Sequence, residues 1–171
     1  RISSTPWMMA MLQAVWNSFF AYRLTDPENR EFVGLNNYVV SLSDGVFWDD
    51  DVAICLLDIR PAREGHSLVI PKAHYPTLID MPADLLGPLF ERAQLVNRAV
   101  EIAFEADGSF NAWNTRVSQS VDHFHLHVIP RKHGDQLLKK GQWHRGPIED
   151  LSILRPQRDR LAEVMATLSR E

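Results

Sequence analysis

The sequence contains very little cysteine and no excess of basic charge. Cys55 is the only cysteine among 171 residues, which excludes a disulfide framework within the chain and every cysteine-based zinc finger or ribbon. With 18 Lys and Arg against 22 Asp and Glu, the net charge is -4, so no overall positive field exists to hold a nucleic-acid backbone. We therefore expect a cytoplasmic protein that has no nucleic-acid polymer as partner and holds any anionic ligand at a local site.

The chain also lacks an uninterrupted hydrophobic run long enough to span a membrane. Its most apolar stretch, from Trp7 to Phe20, contains polar residues such as Gln13 and is shorter than the roughly 20 residues that a spanning helix needs. A cleaved signal peptide is a minor alternative, because no Ala-x-Ala cleavage site follows. Thr5 followed by Pro6 is typical of a helix start. We expect residues 1–35 to form an N-terminal helical extension packed on the domain or on a partner chain.

The rest of the sequence predicts strands, one long helix, further strands and a last helix. Period-2 and β-branched patterns predict strands at 38–42, 52–57, 67–70, 110–114 and 121–129. Helical spacing predicts helices at 85–106 and 157–168. This order predicts an α+β domain in which the long helix packs on a mainly antiparallel sheet. We assign this domain to residues 36–135, and we expect 136–171 to be a loop and a C-terminal helix that pack on it.

Three of the seven histidines alternate with apolar residues between positions 123 and 127. In a strand, alternate residues share one face, so His123, His125 and His127 would line one side at intervals of about 6.6 to 7 Å. Phe124 and Leu126 would then face the core. Such strict alternation makes a chance cluster on a polar surface strand improbable.

Two chemical interpretations of this histidine strand remain open from the residues alone. A His-x-His pair binds zinc, iron or copper in many proteins, and His66 or His74 would be the remote ligand here. Alternatively, the central imidazole of His125 is a nucleophile. Crowded imidazoles disfavour one another's protonation, which keeps a ring neutral and nucleophilic at physiological pH. An anionic phosphate ester is a suitable electrophile for such a site.

The run from His123 to Ile129 resembles the signature of the histidine triad (HIT) superfamily of nucleotide hydrolases and transferases. Residues 50–74 resemble the N-terminal half of that family, including its Gly-His-x-Leu-Val-Ile-Pro-Lys core. The resemblance covers roughly residues 36–135, and the stretch after the triad is similar to the dinucleoside-polyphosphate hydrolase branch and to bacterial relatives. It implies a HIT-like α+β fold, a nucleotide substrate and a homodimer.

The resemblance also implies a role for each histidine. His125 is implied to attack the α-phosphorus and to form a nucleotidyl-histidine that water then hydrolyses. His127 is implied to contact phosphate oxygens, His123 to order the site, and His66 to support the nucleophile strand by hydrogen bonding. No metal site is implied and no cofactor is required, although a polyphosphate substrate can carry Mg²⁺.

The remaining implied positions bind the substrate. Asp58 is implied to hydrogen-bond the ribose hydroxyls. Ile59, with Phe47 or Trp48, is implied to line the base pocket, although core packing explains the two aromatic residues equally well. The neutral side chains implied to contact the phosphate or leaving group are those of Asn114, Gln119 and Ser120.

The sequence departs from the family pattern in the loop before the triad. Ser118 stands where the family usually has glycine, and residues 115–118 form a shorter loop than in the best-known members. Arg116 supplies a charge in place of the amide donors that are lost. This departure keeps open the alternative of a nucleotide-binding or interaction protein with weak turnover. The histidine strand itself keeps open a third alternative, a metal-binding enzyme.

Overall fold

The computed structural model describes residues 45–119, 121–137, 148 and 150–170. The expected N-terminal helix, the expected strand at 38–42 and Ser120 lie outside the described residues. Among those described, no helix is both long and apolar enough to cross a membrane.

In the described part of the chain, five antiparallel strands form one sheet in the order β1-β2-β3-β5-β4. The strands are β1 (Val46–Asp49), β2 (Ala53–Leu57), β3 (Ser67–Pro71), β4 (Gly108–Ala112) and β5 (Leu126–Arg131). All five residues of β2 are buried, as expected for an apolar strand covered on both faces. The predicted α+β class with a mainly antiparallel sheet is confirmed.

Within residues 45–170, and setting aside the positions that are not described, two α-helices accompany the sheet, namely α1 (Ala83–Ala103) and α2 (Leu154–Leu168). Short 3-10 helices precede them at Leu78–Asp80 and Leu151–Ile153. Helix α1 presents one buried stripe at helical spacing, made of Leu89, Ala93, Val96, Ala99, Val100 and Ala103. It ends three residues earlier than the pattern predicts, because the N–H of Phe104 closes the last turn on the carbonyl of Val100 and the chain then turns toward β4.

The two helices cover one face of the sheet. On this face Cys55, Val69 and Val128 pack with both helices in the main core. The opposite face carries a smaller buried cluster of Val46, Ile54, Leu56 and Ile70. Leu68 packs against that cluster, and directly paired residues of antiparallel strands share a face. Because His127 is paired with Leu68, its side chain lies on the face away from the helices.

A glycine leads into β3 immediately before His66. Gly65 has a φ of +77°, and a Cβ at this position would lie 2.5 Å from the ring of Phe104. Its N–H donates to Oε1 of Gln157 on α2 at 3.0 Å. Residue 65 must therefore be glycine, both for its backbone conformation and for the close approach of an aromatic ring.

The structure corrects two strand predictions. Strand β1 at Val46–Asp49 was not predicted, and β5 begins at Leu126 instead of residue 121. The segment before Leu126 leaves the sheet because the N–H of Phe124 donates to the carbonyl of Tyr75 at 2.7 Å and not to a neighbouring strand. His123 and His125 consequently precede the strand instead of lying within it.

Candidate active site

Three buried polar side chains meet where the central strands begin and end. Asp58 directly follows β2, and His66 directly precedes β3. His127 lies in β5, the strand between β3 and β4. The N–H of Asp58 donates to the carbonyl of His66 at 2.8 Å, which extends the β2–β3 pairing by one step. Their exposed fractions are 7% for Asp58, 0% for His66 and 2% for His127. The antiparallel register therefore collects groups from three separate parts of the chain.

A chain of hydrogen bonds determines where the protons of His66 and His127 lie. The backbone N–H of Ala62 donates to Nδ1 of His66 at 3.1 Å, so this nitrogen carries no proton. The Nε2–H of His66 then donates to Nδ1 of His127 at 2.9 Å. Because Nδ1 of His127 accepts, its ring proton lies on Nε2. Both rings are thus neutral, and His127 offers a proton donor on its far side.

His125 has the opposite arrangement. Its Nδ1–H donates to the carbonyl of His123 at 2.7 Å, so in the neutral ring Nε2 is the nitrogen that carries the lone pair. The ring centroids of His125 and His127 are 4.9 Å apart and their planes meet at 72°. A nucleophilic nitrogen therefore stands beside a ring whose Nε2 carries a proton.

His123 faces a different set of groups. Its Nε2–H donates to the carbonyl of Pro71 at 2.9 Å, and its Nδ1 accepts from Nδ1–H of His74 at 2.7 Å. Burial lowers the pKa of His123 to about 4, so the ring is neutral at physiological pH. The prediction of three equally spaced imidazoles on one strand face is therefore wrong. His123 packs against His74 and reaches His125 through its backbone carbonyl.

The carboxylate of Asp58 lies beside the His66–His127 pair. Its Oδ2 is 3.6 Å from Nε2 of His66 and 3.9 Å from Nδ1 of His127. Its Oδ1 accepts the N–H of Arg60 at 2.8 Å. One negative charge therefore stands next to two neutral imidazoles, where it favours any positive charge that develops on them.

The described residues contain one group of side chains close enough to share a metal ion. One ligand atom from each of Asp58, His66 and His127 lies within 4.8 Å of the others. A metal here would displace the His66 proton that bridges the two rings, because a ligating nitrogen must be unprotonated. The histidine-strand metal interpretation expected a His-x-His pair with His66 or His74 as the remote ligand. The structure places His66 beside His127 and His74 beside His123, so each remote histidine meets a different triad histidine.

Residues 41–134 match the HIT domain family. The chain belongs to this family.

Relatives within the HIT family include named hydrolases. An Arabidopsis thaliana protein, adenylylsulfatase HINT3, is 39% identical over 93 residues, which are 53% of this chain and 47% of that protein. The bis(5'-adenosyl)-triphosphatase of Dictyostelium discoideum is 33% identical over 92 residues, which are 53% of this chain and 62% of that protein. This chain thus matches about half of the plant protein and less than two thirds of the Dictyostelium protein.

Solved HIT structures match over more of the chain. A zinc-bound histidine triad family protein from Mycobacterium smegmatis is 31% identical, with a TM-score of 0.62 over 77% of this chain and 93% of its own. A hypothetical histidine triad nucleotide-binding protein from Sulfolobus tokodaii is 26% identical, with a TM-score of 0.63 over 84% of this chain and 91% of its own. The fold described above is therefore the HIT fold.

The loop that the HIT resemblance assigns to phosphate binding runs from β4 to the triad. Both polar atoms of the Gln119 side-chain amide form hydrogen bonds within the protein. Oε1 accepts the N–H of Arg116 in this loop at 2.8 Å, and Nε2 donates to the carbonyl of Pro76. Ser118 has a φ of +60°, in the left-handed region where the family's usual glycine has no penalty. Asn114 is half-buried in the same loop.

The residues expected at the HIT base pocket lie largely in the core. Phe47 is buried with the helix-facing residues, on the other side of the sheet from His127, so core packing is its role. Trp48 and Ile59 are half-buried and pack against the same core, and Nε1–H of Trp48 donates to Asp50. The site groups that sequence reasoning missed are the backbone N–H of Ala62 and the carbonyl of Pro71. Every residue type supplies such a carbonyl, and every type except proline supplies such an N–H.

Proposed function

We propose that this protein cleaves nucleotides at the α-phosphate through a covalent nucleotidyl-histidine on His125. The observation that carries this proposal is the hydrogen bond from Nδ1–H of His125 to the carbonyl of His123, which makes Nε2 the unprotonated, nucleophilic nitrogen of the ring. Two HIT relatives with hydrolase names, the adenylylsulfatase and the bis(5'-adenosyl)-triphosphatase, support a nucleoside phosphoanhydride or phosphoramidate as substrate.

The reaction takes place in two displacements. In the first, Nε2 of His125 bonds to the α-phosphorus while the bond from phosphorus to the leaving group breaks, and the bonding pair departs with the leaving group. Nε2–H of His127 donates a proton where the leaving group needs one. In the second displacement a water oxygen bonds to phosphorus and gives up a proton, and the P–N bond breaks so that its pair returns to His125.

Electrostatics supports the covalent intermediate. Nucleotidylation leaves His125 with a substituent on Nε2 and a proton on Nδ1, so its ring becomes positively charged. The carbonyl of His123 accepts from that ring, and the charge of Asp58 lies behind the neighbouring His127 ring. Both groups are in place before reaction and favour the positive ring over the neutral one.

The covalent step as proposed requires no metal and no cofactor. The nucleophile is an imidazole nitrogen, and the proton donor is a second imidazole held by His66. In this proposal Mg²⁺ enters only as an ion bound to a polyphosphate substrate. The Mycobacterium smegmatis relative is zinc-bound, so this part of the proposal needs a direct test with a chelator.

We also propose that two copies of the chain pair along β4. Among the described strands, β4 lies at the edge of the sheet and is paired with β5 alone. Phe90 and Trp113 are each 40% exposed, and their rings meet edge to face at 6.2 Å. Edge-to-edge pairing would satisfy the open side of β4 and cover these rings. Light scattering that finds a wild-type dimer and a Phe90→Asp monomer supports this; a monomeric wild-type protein contradicts it.

Rapid quench with a substrate labelled at the α-phosphate tests the enzymatic proposal. A phosphorus–imidazole bond is labile in acid and comparatively stable in base, so label on wild-type protein should be released by acid and kept in mild base. His125→Ala should carry no label and lose several orders of magnitude in kcat. Near-normal turnover by His125→Ala, or label on another residue, would overturn the mechanism. Nucleotide binding without measurable turnover in wild-type protein would favour the binding-protein alternative.

The cytoplasmic location proposed from the single cysteine is tested separately by cell fractionation.

A further inference from the structure

Two residues in the loop before the triad, separated by one position, have left-handed backbone conformations. Arg116 has a φ of +65° and Ser118 a φ of +60°, and neither is glycine. L-residues with a Cβ rarely adopt this region, and such conformations persist only where the surroundings impose them. Such conformations are concentrated at ligand-binding sites, so this loop is a candidate for contact with a ligand.

Gln119 imposes this conformation. Its Oε1 accepts the N–H of Arg116 at 2.8 Å, and its Nε2 anchors the loop to the carbonyl of Pro76. The N–H of Val117 donates to the carbonyl of Thr115 at 2.7 Å, which tightens the turn further. The backbone of Arg116 is therefore held in place from two sides.

The loop is fixed beside the reacting histidines at both ends. It leaves β4 at Ala112, which is paired with His127, and the ring of Trp113 lies 6.3 Å from that of Phe124, which stands between His123 and His125 in the sequence. Its other end is tied to the Pro76 segment, where the carbonyl of the neighbouring Tyr75 accepts the N–H of Phe124. The four Cα–Cα steps from Ala112 to Arg116 span at most about 14 Å. The long arginine side chain thus starts within reach of the site.

The guanidinium of Arg116 is exposed, and no described residue pairs with it by a hydrogen bond or ion pair. Other arginines of the described chain differ: Arg92 is paired with Asp50, and Arg131 with Asp135. Asp122, the acidic residue nearest to Arg116 in the sequence, is also exposed. Arg116 therefore keeps its hydrogen-bond donors for a group that is not part of this fold.

We infer that Arg116 selects substrates whose leaving group is an anion, a sulfate or a phosphate chain, over substrates that release an amine. This inference rests on the proposed function, since it concerns the leaving group at the same site. A guanidinium matches the oxygens of sulfate or phosphate with two parallel N–H donors. Negative charge grows on such a group as its bond to the α-phosphorus breaks, so the contact strengthens in the transition state and raises kcat/KM.

The two substrate classes differ in what their departure requires. When sulfate leaves, the P–O bond breaks, the bridging oxygen keeps the electron pair, and no proton is needed. When ammonia leaves a phosphoramidate, the P–N bond breaks and the nitrogen must also take up a proton, which Nε2–H of His127 supplies. A positive charge at Arg116 helps the first departure and does not help the second.

The test uses two substrates that share the adenylyl group: adenosine 5'-phosphosulfate and adenosine 5'-phosphoramidate. Arg116→Gln should lower kcat/KM for the phosphosulfate by roughly tenfold and for the phosphoramidate by less than about twofold, since one charge-assisted contact at an exposed site is lost. Arg116→Lys keeps the charge but not the two parallel donors, so its kcat/KM for the phosphosulfate should lie between those of wild type and Arg116→Gln. Arg170→Gln removes the same charge from an exposed position after the end of α2, far along the helix from the Gln157 that contacts Gly65, and should change neither value.

The outcomes separate this inference from the proposed function. Equal losses on both substrates in Arg116→Gln, or no loss on either, would overturn the role of Arg116 and leave the enzymatic proposal standing. A wild-type protein that cleaves neither substrate and acquires no label would overturn both. Because the phosphoramidate rate reports an intact His125 site, a selective loss on the phosphosulfate supports the inference and excludes misfolding of the variant. Salt should weaken the wild-type preference for the phosphosulfate and leave that of Arg116→Gln unchanged.

Discussion

The Nε2 of His66 lies 2.9 Å from the Nδ1 of His127, and this contact decides which side of His127 carries a proton. The backbone N–H of Ala62 holds His66 in the tautomer that donates. In the proposed mechanism a fully buried residue thus acts through its neighbour, without contacting the substrate. The contact also separates two proposed roles: His127 supplies a proton, and His125 supplies an electron pair.

His127→Ala should impair amine release more than sulfate release. Departure of ammonia needs the proton of Nε2–H, and loss of a general acid costs about 10²- to 10⁴-fold in rate. Sulfate needs no proton, so its release should fall only by about tenfold, from the lost contact to phosphate oxygens. Steady-state kinetics with the adenylyl phosphosulfate and phosphoramidate measure both losses. Equal losses would show that His127 is not the proton donor.

Asp58→Ala should raise KM more than it lowers kcat, because ribose hydrogen bonds form alike in the ground and transition states. A charge-assisted hydrogen bond contributes about 1.5 to 3 kcal/mol, so kcat/KM should fall on the order of ten- to a hundredfold. Michaelis–Menten analysis with any nucleoside substrate checks this. A loss confined to kcat would instead assign Asp58 to the His66–His127 pair, to which its Oδ2 is close.

Stability should fall on acidification because of His123. Its pKa is lowered to about 4 in the folded protein by burial, below the ordinary value of 6.5, so the unfolded chain binds the additional proton between these two values. The free energy of unfolding is therefore unaffected by this group above pH 6.5 and decreases by about 3 kcal/mol as the pH falls to 4. Urea unfolding of wild type and His123→Gln across this range isolates the effect. Parallel pH profiles would contradict it.

Removal of metal should leave turnover unchanged. The proposed nucleophile and proton donor are imidazoles, so exhaustive treatment with a chelator should not alter kcat when the substrate carries no polyphosphate. Elemental analysis gives the control. Stoichiometric transition metal in the purified protein, with activity lost to chelator and restored by metal, would assign the Asp58, His66 and His127 group to an ion.

Ser118→Gly should stabilise the folded protein by about 1 kcal/mol, because glycine adopts a left-handed φ without a Cβ clash. Ser152→Gly is the matched control: Ser152 is also exposed, but its φ is not positive, so glycine there should be neutral or destabilising. Urea midpoints compare the two. Destabilisation by Ser118→Gly would show that the loop's conformation does not cost free energy.

Much of the fold could be predicted, because hydrophobic periodicity indicates both its helices and most of its strands. Period alone could not place the start of β5: the alternation continues back through His123, yet the N–H of Phe124 bonds to Tyr75 outside the sheet. Strand β1 was missed because the acidic residues that follow Val46–Asp49 are typical of a turn.

The candidate site could be predicted in its residue types and not in its proton positions. Histidines in the two motifs identify the family, and the family match confirms it. The tautomers depend on the N–H of Ala62 and the carbonyl of His123, backbone groups whose direction is set by the fold. No residue type at those positions encodes the direction, so the sequence has no pattern that could reveal it.

The contact between Gly65 and Gln157 bears on how this protein should be divided for experiments. The family match ends at residue 134, but the N–H next to His66 is satisfied by a side chain of α2, twenty-odd residues farther along the chain. A fragment cut at the end of the match would remove that acceptor, together with the core residues Leu161 and Met165. Expression fragments, chimaeras and domain transplants need α2 to keep His66 in register.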